Sequence, residues 1–565
     1  MNISVNWAVR DRVRPPFSHH PERDALIGLA LASGVAGASQ LWLSSGGTFF
    51  VDELRMFGAS YQVDFPEWIE PWNGHLSITS RVIYKAMLEL FGADYLAVRL
   101  LTVVTSLLTA SVFFALARHR VGSVAALAPT IILLFFGSSW KHLLAGTGIT
   151  VLLTIAAGLG ALLALERNDL RGNLAACALI TFALASFSVA LAFLAGVIVA
   201  VMLRPRPWRS AWVYLIPLLL YSGWWVWALR FDSAETQGSN VLLIPMWILE
   251  SLSAVAGGLL GVNLGLDLAD PLSLQVTAWG RMAALLFVAV LAWRIRQGRL
   301  PPSFWVSLTI ALTYWCLTGL VAGGDDIRTP YAARYIYPGA VALLLVATDA
   351  FRDIRFSPRG IAVLYGIVTF SLVGNIALLR AGSEYLQSYS EELGADLAMI
   401  EVASARVPTG FPPSRSVVDG IPQITAGDYL AAVGRFGSPA PALSEVRQAS
   451  ARVRWIADIE LGRIYKVRTA PAPGARGVRC ERRSASPGRP VTFELPAGTT
   501  TLLRIAGDSK AKARVGLRRF GDQFSVGAGG IAPRAPATLS LPADNAPDPW
   551  HAEVQVPSMV VCQAP

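Results

Sequence analysis

LLAGTGITVLLTIAAGLGALLAL, residues 143–165, runs for 23 residues without a charge and is followed at once by Glu166, Arg167 and Arg171. About 20 apolar residues carry a helix across a bilayer, so this stretch predicts a membrane span with a basic end. Similar runs begin near residues 25, 95, 123, 173, 188, 212, 277, 304, 336 and 361. Together they predict a mainly α, polytopic bundle of about 11 spans. The composition agrees: 53% of the 565 residues are hydrophobic and 15% are charged, against roughly 25% charged in a soluble protein. A soluble multi-domain enzyme is excluded. The net charge of +10 suggests nucleic acid, but no basic stripe interleaved with aromatics accompanies it, so no nucleic-acid partner is expected.

Basic residues instead punctuate the apolar runs. Arg10, Arg12 and Arg14 precede the first, and arginines recur at 118/120, 167/171, 204/206/209, 294/296/299 and 352/355/359. By the positive-inside rule these ends are cytoplasmic. Val241 to Gly261 is apolar enough to be a further span, but counting it would send Arg294, Arg296 and Arg299 outside. Residues 230–276 therefore read as an external loop with a membrane-dipping or interfacial helix; a count of 12 is the alternative. The first run lacks a small-residue cleavage site and reads as a retained span rather than a signal peptide.

The organisation that follows is a cytoplasmic segment over 1–24, a membrane module over 25–380 with a first external loop at 46–94, and an external soluble domain over 381–565. The last segment carries 38 of the 86 charges. It mixes helix-like stretches (Tyr385 to Val402, Leu443 to Ala451) with a short strand, Val453 to Ile459. After Pro471, brief strands separated by Gly and Pro (Val491 to Leu495, Thr500 to Ile505, Ala513 to Phe520, Ala537 to Leu541, Glu553 to Val561) predict a small β-sandwich. It would cap the membrane body or hold a glycan. Cys177 and Cys316 lie in apolar runs as small hydrophobes. Cys480 and Cys562 lie in the tail; joined, they would restrict the unfolded chain by about 4 kcal/mol, and otherwise they are two thiols.

Chemistry-bearing residues gather at the ends away from the arginine clusters. Asp52 and Glu53 follow the first run almost at once. A partly buried carboxylate there could take a proton from a hydroxyl; the plainer alternative is a pair of loop acids, or acids paired with Arg55. Trp68 and Trp72 read as interfacial anchors, while Asn73 and His75 could orient an acceptor or a phosphate. Residues 76–91 read as an interfacial amphipathic helix. A late loop holds Asp325, Asp326, Arg334 and Tyr335. Arg334 stands at a span entrance, where a guanidinium meets an anion, a headgroup or a carboxylate. Lys141 and His142, in a short external turn, are further anion ligands. No GxGxxG, Walker A, DxD or paired-cysteine zinc spacing occurs. The metal is undetermined: these residues admit a divalent cation without requiring one.

In this arrangement the chain resembles the GT-C superfamily of integral-membrane glycosyltransferases, especially bacterial members that use polyprenyl-phosphate sugars. The resemblance covers about residues 25–380. It is carried by Asp52-Glu53 after the first span, the loop through Asn73-Gly74-His75 and Ile83-Tyr84, the Tyr95…Arg99-Leu100 entry to the next span, and Ala333-Arg334-Tyr335-Ile336-Tyr337-Pro338-Gly339. It implies sugar transfer from a polyprenyl-phosphate donor to a cell-envelope glycan, lipid or protein at the outer face of a bacterial cytoplasmic membrane, by an inverting single displacement. Asp52 would be the general base, Glu53 its tuning, positioning or metal-binding neighbour, and Arg334 the phosphate clamp. Many relatives carry a second acidic motif in the next external loop; here that turn reads Ser138-Ser139-Trp140-Lys141-His142, without an acid. The competing expectations are a flippase or transporter of lipid-linked saccharides, which should carry ionisable groups along its spans, and a non-catalytic glycan-binding scaffold.

Overall fold

A computed structural model describes residues 20–60, 67–231, 238–263, 265–266, 273–298, 300–322, 328–352, 354, 356–418, 421–472, 479–486, 489–506 and 512–563. Arg10, Arg12, Arg14, Arg299, Asp325, Asp326 and Arg355 lie outside the described residues. The chain divides into two compact units. One comprises Met1–Gly47, Val63–Met87 and Leu96–Leu386; the other comprises Thr48–Gln62, Leu88–Tyr95 and Gln387–Pro565. The acid-bearing start of the first loop is therefore grouped with the tail.

The first unit is helical. Among the described residues, seven helices are long and apolar enough to cross a membrane: Pro21–Leu43, Tyr95–Val121, Gly148–Leu165, Asn240–Leu260, Ala278–Arg296, Pro302–Ala322 and Pro358–Val402. Ser123–Leu134 and Gly137–Leu144, bent by 46°, make an eighth if taken as one span, and Leu170–Ser186, Ala190–Met202 and Trp212–Ala228 are shorter apolar helices. This is the build of a multi-pass membrane protein. The residues expected to dip, 241–261, form a helix that qualifies as a span by length and composition.

Polar groups in this unit close helix ends. Gln40 Nε2 donates to the Leu134 carbonyl at 3.0 Å, and Arg99 donates to Leu41 O and to Ser44 Oγ beside it. Several of the punctuating arginines do the same. Arg204 reaches Leu165 O at 2.9 Å and Arg294 reaches Ala350 O at 2.9 Å, placing a cation on the negative end of each helix. Arg120, 3% exposed, pairs with Asp349, which is fully buried, at 2.7 Å. Asp349 also accepts from Ser303 Oγ at 2.7 Å and Ser307 Oγ at 2.6 Å.

The turn at residues 138–142, expected as a short external turn, is buried throughout. Ser123–Leu134 has 12 residues, about 18 Å of helix at 1.5 Å per residue, too short to cross a bilayer alone. Its break is held at depth because Asn375 supplies the missing partners. Asn375 Oδ1 accepts the Ser138 N–H at 3.2 Å, and its Nδ2 donates to Gly258 O at 2.9 Å. Irregular backbone survives away from water only when so satisfied. Gly137 permits the approach: a Cβ there would stand 1.8 Å from Asn375 O.

The second unit combines helices with strands. Residues 453–459, expected as a strand, lie in the helix Ala451–Tyr465. Ser450 caps it by accepting the Val453 N–H, and Val453, Ile456, Ala457, Leu461 and Ile464 are buried at helical spacing. Among the described residues a two-stranded ribbon, β1 (Val417–Val418) and β2 (Ile421–Pro422), precedes nine strands: β3 (Thr469–Pro471), β4 (Arg479–Ser484), β5 (Val491–Leu495), β6 (Thr500–Ile505), β7 (Ala513–Arg518), β8 (Val526–Ile531), β9 (Ala537–Ser540), β10 (Trp550–Val554) and β11 (Ser558–Gln563). They form two antiparallel sheets, ordered β5-β10-β7-β8 and β3-β9-β6-β11-β4. Leu495, Val515, Leu517, Ala552 and Val554 from the first sheet, and Leu503, Ile505, Leu539 and Met559 from the second, are buried. The single strand expected over 553–561 is two, separated around Pro557. Cys480 and Cys562 face each other across β4 and β11 and are joined in a disulfide.

Candidate functional site

In the second unit, Phe49-Phe50-Val51 leads into the helix Asp52–Ala59. Phe49 and Phe50 are each 1% exposed. Phe49 packs on Phe57 and Tyr95 with ring centroids 5.0 and 5.2 Å apart, and Phe50 meets Tyr389 at 4.9 Å. Val51 sits at φ 49°, a backbone region that a β-branched residue rarely adopts. The surrounding contacts over-determine that strained turn, the pattern of a functional corner.

The two adjacent acids have different places. Glu53 is 1% exposed; its Oε2 accepts the Tyr95 hydroxyl at 2.7 Å and the Phe50 N–H at 3.3 Å. It is a bolt that holds the turn. Asp52 is half-buried in the first turn of the helix, where a carboxylate is favoured by the positive helix end. Arg55 is exposed, on the same helix. Below them, Phe57 packs on Tyr429 and Phe436 of the helix Ala426–Phe436, at 6.2 and 6.3 Å. Tyr429 donates to Glu401 Oε1 at 2.6 Å, and burial, then Glu401, push the Tyr429 hydroxyl well above its ordinary value. The first acid turn is thus seated on a rigid aromatic base.

In the first unit, Arg334 and Tyr335 occupy the first turn of the helix Ala333–Ala350. A cation there opposes the helix dipole. Together with the positive end of the helix it makes a corner that attracts anions; within that turn the Tyr335 N–H donates to Ala332 O at 2.8 Å. The Arg334 guanidinium lies 5.5 Å from the Tyr335 ring centroid. Tyr335 in turn meets Trp247 edge-on at 5.7 Å, and its carbonyl accepts the Tyr314 hydroxyl at 2.9 Å.

His142 is tied to the same corner, and Lys141 precedes it in the chain. Ser139 Oγ bridges His142 Nδ1 at 2.8 Å and Ala333 O at 2.9 Å, tying the broken segment to the residue before Arg334. Lys141 is 9% and His142 3% exposed. The His142 ring lies 6.4 Å from Tyr337, whose buried hydroxyl has no hydrogen-bond partner among the described residues. In the sequence Tyr337 carries no site signal of its own, whereas Asn375 does: an amide in the middle of the apolar run VTFSLVGNIALL is costly in lipid without partners.

Asn73 and His75 have a different explanation. Asn73 and Gly74 both have positive φ, 49° and 77°, and Trp72 and His75 pair through both backbone hydrogen bonds. This is a type I′ hairpin turn, for which Asn-Gly is the favoured dipeptide. His75 Nδ1 lies 2.7 Å from Ser188 Oγ and its ring is 4.2 Å from Phe187. The turn is clamped to the link between Leu170–Ser186 and Ala190–Met202. Among the described residues no group of three His, Cys, Asp or Glu side chains could hold a metal.

Compared with known proteins, the chain matches no protein-family model, and no curated protein matches it.

Proposed function

We propose that this chain is a GT-C-type glycosyltransferase. It moves a sugar from a polyprenyl-phosphate donor to a cell-envelope glycan, lipid or protein acceptor at the external face of a bacterial cytoplasmic membrane. The observation that carries the reading is the anion-seeking corner of the membrane unit: Arg334 in a helix first turn, joined through Ser139 to the segment bearing buried Lys141 and His142. A phosphate on a lipid is the anion that such a corner would meet in an apolar body.

In this reading Asp52 accepts the proton of the acceptor hydroxyl as its oxygen bonds to the anomeric carbon. The bond from that carbon to the phosphate oxygen breaks, inverting the centre, and the lipid phosphate departs with its charge held by Arg334. Glu53 positions the turn. Lys141, His142 and Tyr335 complete the phosphate corner, and Asn73 and His75 shape the loop. The proposed topology keeps 11 crossings, with the arginine-capped ends cytoplasmic. It treats Asn240–Leu260 as embedded without crossing. In support, Val255 meets Gly339, one turn from the Tyr335 that Trp247 touches, and Gly258 and Gly261 meet the mid-run residues Asn375 and Ser371.

The test is transfer by the purified full chain with a panel of polyprenyl-phosphate sugars. Arg334→Ala should lower turnover by about 10²–10³, and Asp52→Asn by about 10²–10⁴. Turnover unaffected by both substitutions would sink the site; transport of lipid-linked saccharide without transfer would establish the flippase reading instead.

A further inference from the structure

The two sheets of the sandwich present unlike outer faces. On the sheet containing β5, β10, β7 and β8, the register sets Glu494, His551 and Arg518 in one row and Thr492, Glu553 and Gly516 in the next, with Arg514 beyond. Acids and bases alternate, and His551 lies 4.0 Å from Glu494.

On the other sheet the outward row Arg482–Val560–Arg504 crosses β4, β11 and β6. Neighbouring rows hold Ser484 and Ser558, the Cys480–Cys562 disulfide with Leu502 and Thr538, and Thr500 with Ser540. None of these residues is acidic. Arg482 and Arg504 are exposed, and neither pairs with an acid among the described residues. Arg468, also exposed, stands two residues before Ala470 at the far edge. One strand, β11, lies between the two arginines, so two strand spacings set them about 10 Å apart at roughly 4.8 Å each. The disulfide fixes the edge strand that bears Arg482 to its neighbour. Residues 467–565 carry 13 Lys/Arg and 7 Asp/Glu, net +6, and the face without acids takes an uneven share of that excess.

We propose that this face binds an anionic polysaccharide, a glycan bearing carboxylates or phosphates along its length. The arginines, with forked donors that suit either group, are spaced across the sheet to meet successive charges. The hydroxyls between them, Thr500–Ser540 at 2.9 Å and Ser484–Ser558 at 3.3 Å, offer hydrogen bonds to sugar hydroxyls and leave room for a chain to lie flat. An anionic lipid surface fits less well. Among the described residues the face has no exposed Trp, Phe or Leu to insert, Leu502 being half-buried, whereas surface-binding segments ordinarily supply such residues alongside their charge. The inference stands on the sandwich alone and holds whether or not the membrane unit transfers sugar.

The test measures binding of the purified full chain in detergent to polygalacturonate oligomers, with neutral dextran and anionic phospholipid vesicles as the other probes. Polygalacturonate should bind with an affinity that falls as salt is added, and dextran should not bind. Arg482→Ser/Arg504→Ser should weaken polygalacturonate binding by about tenfold or more, since the charge-assisted hydrogen bonds of both guanidinium groups are lost. Lys512→Ser/Arg514→Ser, with the same loss of net charge but at the start of β7 on the opposite side of the sandwich, should stay within about twofold. Equal losses in the two variants would reduce the effect to net charge and overturn the proposal. So would unchanged binding by the first variant, or binding to vesicles but not to polygalacturonate. An unshifted thermal midpoint for both variants confirms that each folds.

Discussion

The helical unit and the sandwich treat polar residues in opposite ways. In the helical unit the buried polar side chains named above have specific assignments: Arg120 is sealed against Asp349, Asn375 supports a broken helix, Arg204 and Arg294 cap helix ends. In the sandwich, charges are common and many are solvated. What matters there is which face they occupy. An isolated polar group in an apolar run is therefore informative by its presence, whereas a charge in the tail is informative by its distribution.

The comparison is tested most severely at the buried ion pair. Arg120→Leu leaves the Asp349 carboxylate uncompensated and should cost about 3–5 kcal/mol. Arg483→Leu, which breaks an exposed pair with Glu481, should cost about 0–1 kcal/mol. Thermal unfolding in detergent distinguishes them, and equal shifts would erase the contrast. A smaller effect is expected at Asn375→Leu. It strands the buried Ser138 N–H, at about 1–3 kcal/mol, and should loosen the segment carrying Lys141 and His142. Hydrogen exchange at Ser138 and Ser139 should rise while exchange in the sandwich stays unchanged.

A finer test lies in the tail. Asp458 is fully buried and accepts N–H bonds from Arg519, Phe520 and Gly521 at 2.8–3.0 Å. Burial nevertheless raises its carboxyl above the ordinary range, outweighing those donors. The folded state then holds the proton more tightly than the unfolded chain. Stability is greatest below the ordinary carboxylate pKa and declines as pH rises through the raised value. Asp458→Asn should flatten that decline, read from unfolding midpoints over a pH series that starts below the ordinary carboxylate value and rises from it; an unchanged slope would assign it to another group.

Much of this was legible in the sequence because apolar runs and turn residues act locally. The long helices and the strands at 491–495, 500–505 and 537–540 follow from such patterns. Local patterns failed where the deciding partner is distant. Ser138 to His142 reads as a short external turn until Asn375, 237 residues away, supplies its hydrogen bonds. Val453 to Ile459 reads as a strand because its β-branched residues mask the helical spacing that Ser450 caps. β4, reading RCERRS, is an edge strand without alternating burial, and β8, reading VGAGGI, is rich in glycine; neither carries an ordinary strand signature. The Asp52-Glu53 pair was visible, but its division into a half-buried acid and a hydrogen-bonded bolt needed Tyr95 and Phe50.

That division is the centre of the functional reading, and single-turnover transfer from a labelled polyprenyl-phosphate sugar tests it directly. Asp52→Asn should retain the wild-type unfolding midpoint while losing about 10²–10⁴ in rate. Glu53→Gln should lower the midpoint, by about 1–3 kcal/mol in stability, yet keep most of the rate at low temperature. A full rate in Asp52→Asn, or a rate abolished in a stably folded Glu53→Gln, would contradict the account.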